Sequence, residues 1–213
     1  EIRWDPDRGH LNPMALAGVE AVIHLAGAGI ADRRWTRSQM NRILESRTRG
    51  TQLLARSLAE ARPLGGPKVL VSGSAIGFYG NRGEETLTEA SPRGTGFLAD
   101  VCVAWEDATR DAERAGLRVA HARTGVVLAR SDGLLARLLP LFRVGLGGRI
   151  GSGRQFMSWI SITDEVAALA WMIDNDVAGP GNLVAPGAVT NTEFSRPLAK
   201  VLRRPVRLPV PPL

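Results

Sequence analysis

Short apolar runs alternate with longer stretches of helical periodicity along the first 124 residues. The runs at 20–26, 68–74 and 117–124 are rich in apolar and β-branched residues, and small residues end or follow them. Such runs are typical of buried parallel strands. The stretches at 36–61 and 96–115 carry apolar residues at helical spacing. The pattern therefore predicts the order strand, helix, strand, helix, strand.

The pattern is looser beyond residue 127. It predicts helices at 134–142, 163–173 and 192–202, and strands at 157–162 and 182–185. We expect these elements to form a smaller lobe on the substrate side of the protein.

Regular alternation of strands and helices implies parallel strands joined by right-handed crossovers. The predicted fold class is therefore α/β, with a doubly wound parallel sheet of Rossmann type and ligands at the carboxyl ends of its strands. We expect residues 1–129 to be the cofactor-binding part and 130–213 the C-terminal substrate lobe. No G-x-x-G-x-x-G sequence follows a strand, so we expect the first β-α-β unit and part of the lobe to lie outside this sequence.

Composition narrows the class of protein. The chain has 213 residues, of which 44% are hydrophobic and 23% charged, enough to bury a core. No run of about 18 apolar residues and no signal peptide is present, which predicts a soluble, cytoplasmic protein without a membrane partner. A single cysteine, Cys102, and three scattered histidines predict neither a disulfide nor a metal site.

The net charge of +6 suggests nucleic-acid binding as a possibility. However, only Lys68 and Lys200 are lysines, and the many arginines are spread along the chain. No basic run carries interleaved aromatic residues that would stack on bases. We therefore expect no nucleic-acid partner and interpret the charge as a solvated surface.

Several segments together carry a family resemblance: VIHLAGAG from Val22, VSGSAIGFYG from Val71 and RTGVVL from Arg123. They resemble the extended short-chain dehydrogenase/reductase superfamily and its NAD(P)-dependent epimerase/dehydratase family. ADRRW, GFLADVCVAWE and VTNTEF are similar to the subgroup called epimerase family proteins, sometimes named cell-division inhibitors. The resemblance implies a nicotinamide cofactor, NADP(H) in preference to NAD(H), along the carboxyl edge of the sheet.

The resemblance also implies positions for this cofactor. Leu25 and Ala26 would lie against its adenosine side, where small side chains allow a close approach, although a plain core strand is the alternative. Val127 would touch the nicotinamide end through its backbone.

Arg47 shares a helical stripe with Ile43 and Leu54, where a guanidinium is costly unless it meets an anion. We predict that it binds cofactor phosphate or ribose. The alternative is an arginine that extends to solvent or pairs with a carboxylate such as Glu45 or Asp100.

The family resemblance implies a catalytic role for Ser74, which aligns with the superfamily's catalytic serine. The superfamily's tyrosine and lysine are missing, because counting back from Glu106 places Leu98 and Cys102 at their positions. Tyr79 is the only tyrosine and is a candidate substitute, with packing of its loop as the alternative.

Gln155 and Trp159 are the candidate substrate-pocket residues, although Trp159 is as well explained by packing. Met157 stands where nucleotide-sugar members usually have an arginine, which argues against a nucleotide sugar unless Arg149 or Arg154 compensates.

Two functions stay open on this reasoning. One is an NADP(H)-dependent oxidoreductase or epimerase with an atypical site, acting on an unknown small carbonyl or alcohol. The other is a non-catalytic NADP(H)-binding sensor or interaction protein. The substrate and the oligomeric state are not determined by the sequence.

Overall fold

The computed structural model describes residues 1–205, which fall into two compact units. The first unit comprises residues 1–81, 87–123 and 168–182. The second comprises 82–86, 124–167 and the described residues from 183 onward. Residues 168–182, which the sequence grouped with the C-terminal lobe, thus belong to the first unit.

Residues 1–205 contain six α-helices, which account for every helix predicted from periodicity. These are α1 (Arg37–Ala61), α2 (Phe97–Asp107), α3 (Arg110–Arg114), α4 (Gly133–Arg143), α5 (Ile162–Asp174) and α6 (Asn191–Val201). None of the helices in this part of the chain combines the length and apolar character needed to cross a membrane.

The strands are shorter and pair in several small sheets. They are β1 (Trp4–Asp5), β2 (His10–Leu11), β3 (Ala21–His24), β4 (Val69–Ala75), β5 (Arg118–Thr124), β6 (Val126–Leu128), β7 (Phe156–Met157), β8 (Trp159–Ser161), β9 (Gly179–Leu183) and β10 (Val189–Thr190). β1 and β2 form an antiparallel pair.

The largest sheet among the described residues has the strand order β3-β4-β5-β9. β3 and β4 are parallel, with Ala21 opposite Val69 and His24 opposite Ser72. Their carboxyl ends therefore lie side by side at one edge. The predicted α/β architecture, a parallel central sheet of Rossmann type with flanking helices, is confirmed.

Helix α1 follows the sequence prediction closely. Thr36 caps its first turn by accepting a hydrogen bond from the Gln39 backbone N–H at 3.2 Å. The predicted apolar stripe is buried at Leu58, which packs in a core cluster with Leu70 of β4 and Val119 of β5. Burial of this stripe holds the helix against the sheet.

The single helix predicted at 96–115 is wrong in one respect, because the structure divides it into α2 and α3. The break lies at Thr109, which is fully buried. Its hydroxyl donates to the Glu106 carbonyl at 2.7 Å and lies 3.0 Å from His121 Nε2 in β5. A hydroxyl that bonds to the backbone and to a neighbouring strand competes with regular helix geometry.

The strand predicted at 157–162 is two strands with different partners. β7 pairs with β10 in antiparallel fashion, whereas β8 pairs with β6 in parallel. Between them, the Ser158 carbonyl accepts a hydrogen bond from Val126 N at 2.8 Å. Ile162 already belongs to α5, because the Ser161 hydroxyl accepts from the Asp164 N–H at 3.0 Å and caps the helix start.

The strand predicted at 182–185 begins earlier, at Gly179, and ends at Leu183. Pairing changes at its end, since Ala185 N donates to the Trp159 carbonyl at 2.6 Å. The local apolar pattern overlaps only the last two residues of β9.

Candidate functional site

The parallel strands β3 and β4 bring two segments together at the carboxyl edge of the sheet. Residues 25–30 follow β3, and a short 3₁₀ turn at Ile76–Tyr79 follows β4. Because ligands of doubly wound sheets bind outside the carboxyl ends of the strands, this edge is the candidate site in the first unit.

The segment after β3 exposes backbone and small side chains. Leu25 is 52% exposed and Ala26 is half-buried. Ala28 N donates to Ser46 Oγ at 2.9 Å, which anchors the segment to α1. A Cβ atom at Gly27 would lie 3.1 Å from the Arg47 side chain, so glycine allows that side chain to lie against the backbone.

Arg47 is half-buried beneath this segment. Its Nη1 donates to the carbonyls of Ala28 at 2.9 Å and Ile43 at 3.1 Å. Its guanidinium lies 5.0 Å from the centre of the Trp105 ring. Burial lowers the pKa of Arg47, since a desolvated cation is disfavoured.

The ion pairs of residues 1–205 give Arg47 no carboxylate partner. The two carboxylates considered from the sequence are engaged elsewhere, Glu45 with Arg49 at 3.3 Å and Asp100 with Arg93. Arg47 therefore presents a partly desolvated positive charge at the edge of the sheet.

Ser74 is buried at the end of β4, and its hydroxyl donates to Glu106 Oε1 at 2.6 Å. Arg123 binds the same carboxylate through two hydrogen bonds, Nε to Oε1 at 2.8 Å and Nη2 to Oε2 at 2.9 Å. Burial would raise the pKa of Glu106, but the hydrogen bonds from Arg123 and Ser74 hold it below its usual value. Glu106 is therefore a carboxylate at neutral pH.

Tyr79 continues this polar network. Its hydroxyl accepts from Arg123 Nη1 at 3.0 Å and donates to Asn182 Oδ1 at 2.6 Å. The Arg123 guanidinium also lies 3.4 Å from the centre of the Phe78 ring. Tyr79 is buried, and both hydrogen-bonding capacities of its hydroxyl are used inside the first unit.

Leu98 and Cys102 occupy the places of the missing tyrosine and lysine. Both lie against the turn after β4, since a Cβ atom at Gly77 would be 3.5 Å from Leu98 Cβ and 3.6 Å from Cys102 Sγ. Burial, followed by the charge of Glu106, raises the pKa of Cys102 to about 11. Neither side chain transfers protons near neutral pH.

The remaining predicted residues lie in the second unit. Val127 is in β6 opposite Ile160 and is half-buried. Gln155 is exposed, and its Nε2 donates to the Ile150 carbonyl at 2.9 Å. Trp159 is half-buried in β8, and Met157 is buried. Contacts of Val127, Gln155 and Trp159 with cofactor or substrate stay predictions.

Sequence reasoning missed the connected network of Glu106, Arg123, Tyr79 and Asn182. One signal was present, because Arg123 lies in a run typical of a buried strand, where an arginine needs a partner. Glu106 lies in α2, Tyr79 in the turn after β4, and Asn182 in β9. The sequence contains no local indication that these residues meet. The residues at 1–205 also include no cluster of His, Cys, Asp or Glu that could hold a metal ion.

The edge combines exposed backbone with a half-buried positive charge. The exposed backbone around Gly27 allows close approach, and the Arg47 charge lies directly beneath it. The fold thus defines a protein of the doubly wound α/β class.

Comparison with known proteins gives the family. The family model for the NAD dependent epimerase/dehydratase family matches residues 8–185, and the chain belongs to this family. An epimerase family protein of Mycobacterium bovis is 46% identical over 212 residues, which are 99% of this chain and 69% of that relative. The human epimerase family protein SDR39U1 is 36% identical over 215 residues, covering 99% of this chain and 71% of the human protein.

Solved structures of other proteins also match the fold of this chain. A crystal structure of human SDR39U1 isoform 2 with NADPH matches with a TM-score of 0.86 and 35% identity, over 92% of this chain and 67% of that one. A dTDP-glucose 4,6-dehydratase from Streptomyces venezuelae matches with a TM-score of 0.78 and 23% identity, over 98% and 65% of the two chains. The second similarity shows the fold alone.

Proposed function

We propose that this chain binds NADP(H) at the carboxyl edge of the sheet in its first unit. The observation that carries the proposal is Arg47, a half-buried cation without a carboxylate partner among residues 1–205, placed under the exposed segment after β3. Leu25 and Ala26 of that segment would lie along the adenosine side. The NADPH in the human SDR39U1 structure supports this cofactor, with NAD(H) as the second option.

The proposed reaction is of oxidoreductase or epimerase type, on a small carbonyl or alcohol. A bound nicotinamide supplies or accepts a hydride, and the chain must handle the accompanying proton. Leu98 has no ionisable proton, and the pKa of Cys102 is raised to about 11, so its thiol stays protonated near neutral pH. Ser74 is the candidate catalytic residue. Its hydroxyl must first break its hydrogen bond to Glu106 before it can donate to a substrate. Tyr79 is the weaker candidate, because its hydroxyl is engaged by Arg123 and Asn182.

A second candidate function is NADP(H) binding without turnover, as a sensor or interaction protein. The specific observation that favours it is the short Ser74 to Glu106 hydrogen bond, since a hydroxyl committed to a buried carboxylate is not presented to a ligand. The absence of the tyrosine and lysine pair in the sequence favours it as well.

For the substrate side, we propose that Gln155 and Trp159 line the pocket and that the Val127 backbone meets the nicotinamide. Burial of Met157, with Asn191 Nδ2 at 3.4 Å from its sulfur, supports the view that this position is part of a packed core and not a diphosphate clamp. A cytoplasmic location is part of the proposal, although a relative in Arabidopsis thaliana is chloroplastic.

The first experiment is titration of the protein with NADPH and, separately, NADH, followed by nicotinamide fluorescence. Saturable binding that is tighter for NADPH is the expected result. No saturable binding of either cofactor by folded protein would contradict the proposal.

If the protein binds NADPH, a screen of small carbonyls for NADPH oxidation distinguishes the enzyme from the sensor. If turnover is found and Ser74→Ala leaves it unchanged, Ser74 has no catalytic role.

A further inference from the structure

Trp35 and Phe97 form an aromatic pair in the first unit. Their ring centres are 5.4 Å apart at an interplanar angle of 71°, the edge-to-face arrangement that aromatic rings prefer. Trp35 is nevertheless 47% exposed. Its indole N–H donates to the Ile30 carbonyl at 2.7 Å, so the ring's one polar group is satisfied and its open surface is apolar.

The loop that carries Trp35 is held by local contacts. Thr36 N donates to the Arg34 carbonyl at 2.9 Å, just before α1 begins. The Asp32 carboxylate lies against Gly29, at a place that a Cβ atom would fill. A tryptophan held in this way loses little entropy when a ligand covers it, which favours a binding role for its exposed face.

The pair adjoins the end of the site where chemistry is expected. Phe97 is the first residue of α2, and Leu98 follows it directly. Leu98 and Cys102 lie against Gly77 of the turn after β4. The start of α2 thus presents the half-buried side chains of Phe97 and Leu98, and Leu98 stands where the family resemblance implies a tyrosine.

Charge on the Trp35 loop is strongly one-sided. Arg33, Arg34 and Arg37 flank the tryptophan, and all three are exposed. The ion pairs of residues 1–205 do not involve any of them. Asp32 is the acidic residue of the loop, and its carboxylate lies toward Gly29. The loop therefore carries three exposed cations near Trp35 in the sequence, which favours an anionic ligand.

We propose that the Trp35–Phe97 pair binds a planar aromatic group that carries an anionic substituent, and that this is the substrate class of the site. The aromatic group packs on the exposed indole face and the anion meets the loop arginines. The inference rests on the proposed function, because it places the ligand beside the nicotinamide end of the bound cofactor.

The test uses 2-naphthoate as the probe and the protein saturated with NADP⁺, with binding measured by titration calorimetry. We expect saturable binding to the complex. Trp35→Ala and Phe97→Ala should each weaken it by about five- to tenfold, the range of one aromatic contact, while Trp35→Phe retains most of it. Trp171→Ala is the matched control, because Trp171 is 58% exposed on α5 and should leave the affinity unchanged.

Each other outcome has a distinct meaning. If the unaltered protein does not bind NADP⁺, the proposed function itself is contradicted. Intact NADP⁺ binding without saturable 2-naphthoate binding overturns the aromatic site. An equal loss in Trp171→Ala, or displacement of NADP⁺ by 2-naphthoate, also overturns it, since binding would then be non-specific or within the cofactor's own site. Equal affinity for the uncharged 2-naphthalenemethanol would overturn the role of the arginines.

Discussion

Replacing Arg123 with methionine should destabilise the protein strongly. The Arg123 side chain is 4% exposed and its partner Glu106 is 13% exposed, so the pair lies almost out of water. The substitution removes two hydrogen bonds to Glu106, one to Tyr79 and one to the Glu89 carbonyl. It leaves a buried carboxylate without its cation, which costs about 3 to 5 kcal/mol of unfolding free energy.

The assay is urea unfolding at pH 7, followed by far-UV circular dichroism. Arg110→Met is the matched control, because Arg110 pairs with Asp107 at an exposed surface. Exposed pairs contribute little, so the control should stay within about 1 kcal/mol of the unaltered protein. If Arg123→Met were as stable as Arg110→Met, the stabilising role of the buried Arg123–Glu106 pair would be contradicted.

The pH dependence gives a second check of the same reasoning. Because the pKa of Glu106 is lowered in the folded protein, its contribution to stability is present above the unfolded pKa and is lost as the pH falls through the folded value. The unaltered protein should therefore lose stability below about pH 4.3, the ordinary value for glutamate, whereas Arg123→Met lacks this contribution, so the difference between the two narrows. A difference that stayed constant through this range would contradict the role assigned to the Glu106 charge.

The remaining predictions concern single side chains. Arg47→Ala should weaken NADPH binding by about 1 to 3 kcal/mol in a fluorescence titration. Arg49→Ala is the control, because Arg49 forms an exposed pair with Glu45 and should leave the affinity unchanged. Equal effects of the two substitutions would contradict a role of Arg47 in cofactor binding. Gly73→Ala should cost about 1 to 3 kcal/mol in urea unfolding, because a Cβ atom there would lie 2.8 Å from the Trp105 ring, and an unchanged midpoint would contradict that packing. Cys102 should react with a thiol reagent at pH 8 only after unfolding, since its pKa is about 11; fast labelling of folded protein would be incompatible with this.

Where sequence predictions failed, contacts with distant elements interrupted a predicted helix or strand. The helix predicted at 96–115 divides at Thr109 because its hydroxyl reaches His121 on another element. The strand predicted at 157–162 divides at Ser158 because its two halves pair with different strands. Neither break can be predicted from local periodicity, because periodicity indicates which residues are buried but not which residues they contact.

The amino-acid sequence by itself determined the alternation of strands and helices, the start of α1 at its Thr36 cap and the α/β class, because burial periodicity and capping are local properties. It also supported the family resemblance that the comparisons confirm. Only the tertiary structure decided that Ser74 bonds to Glu106, that Arg123 joins this carboxylate to Tyr79, and that Trp35 meets Phe97. These contacts join residues far apart along the chain, and such pairings arise only when the sheet and helices have packed.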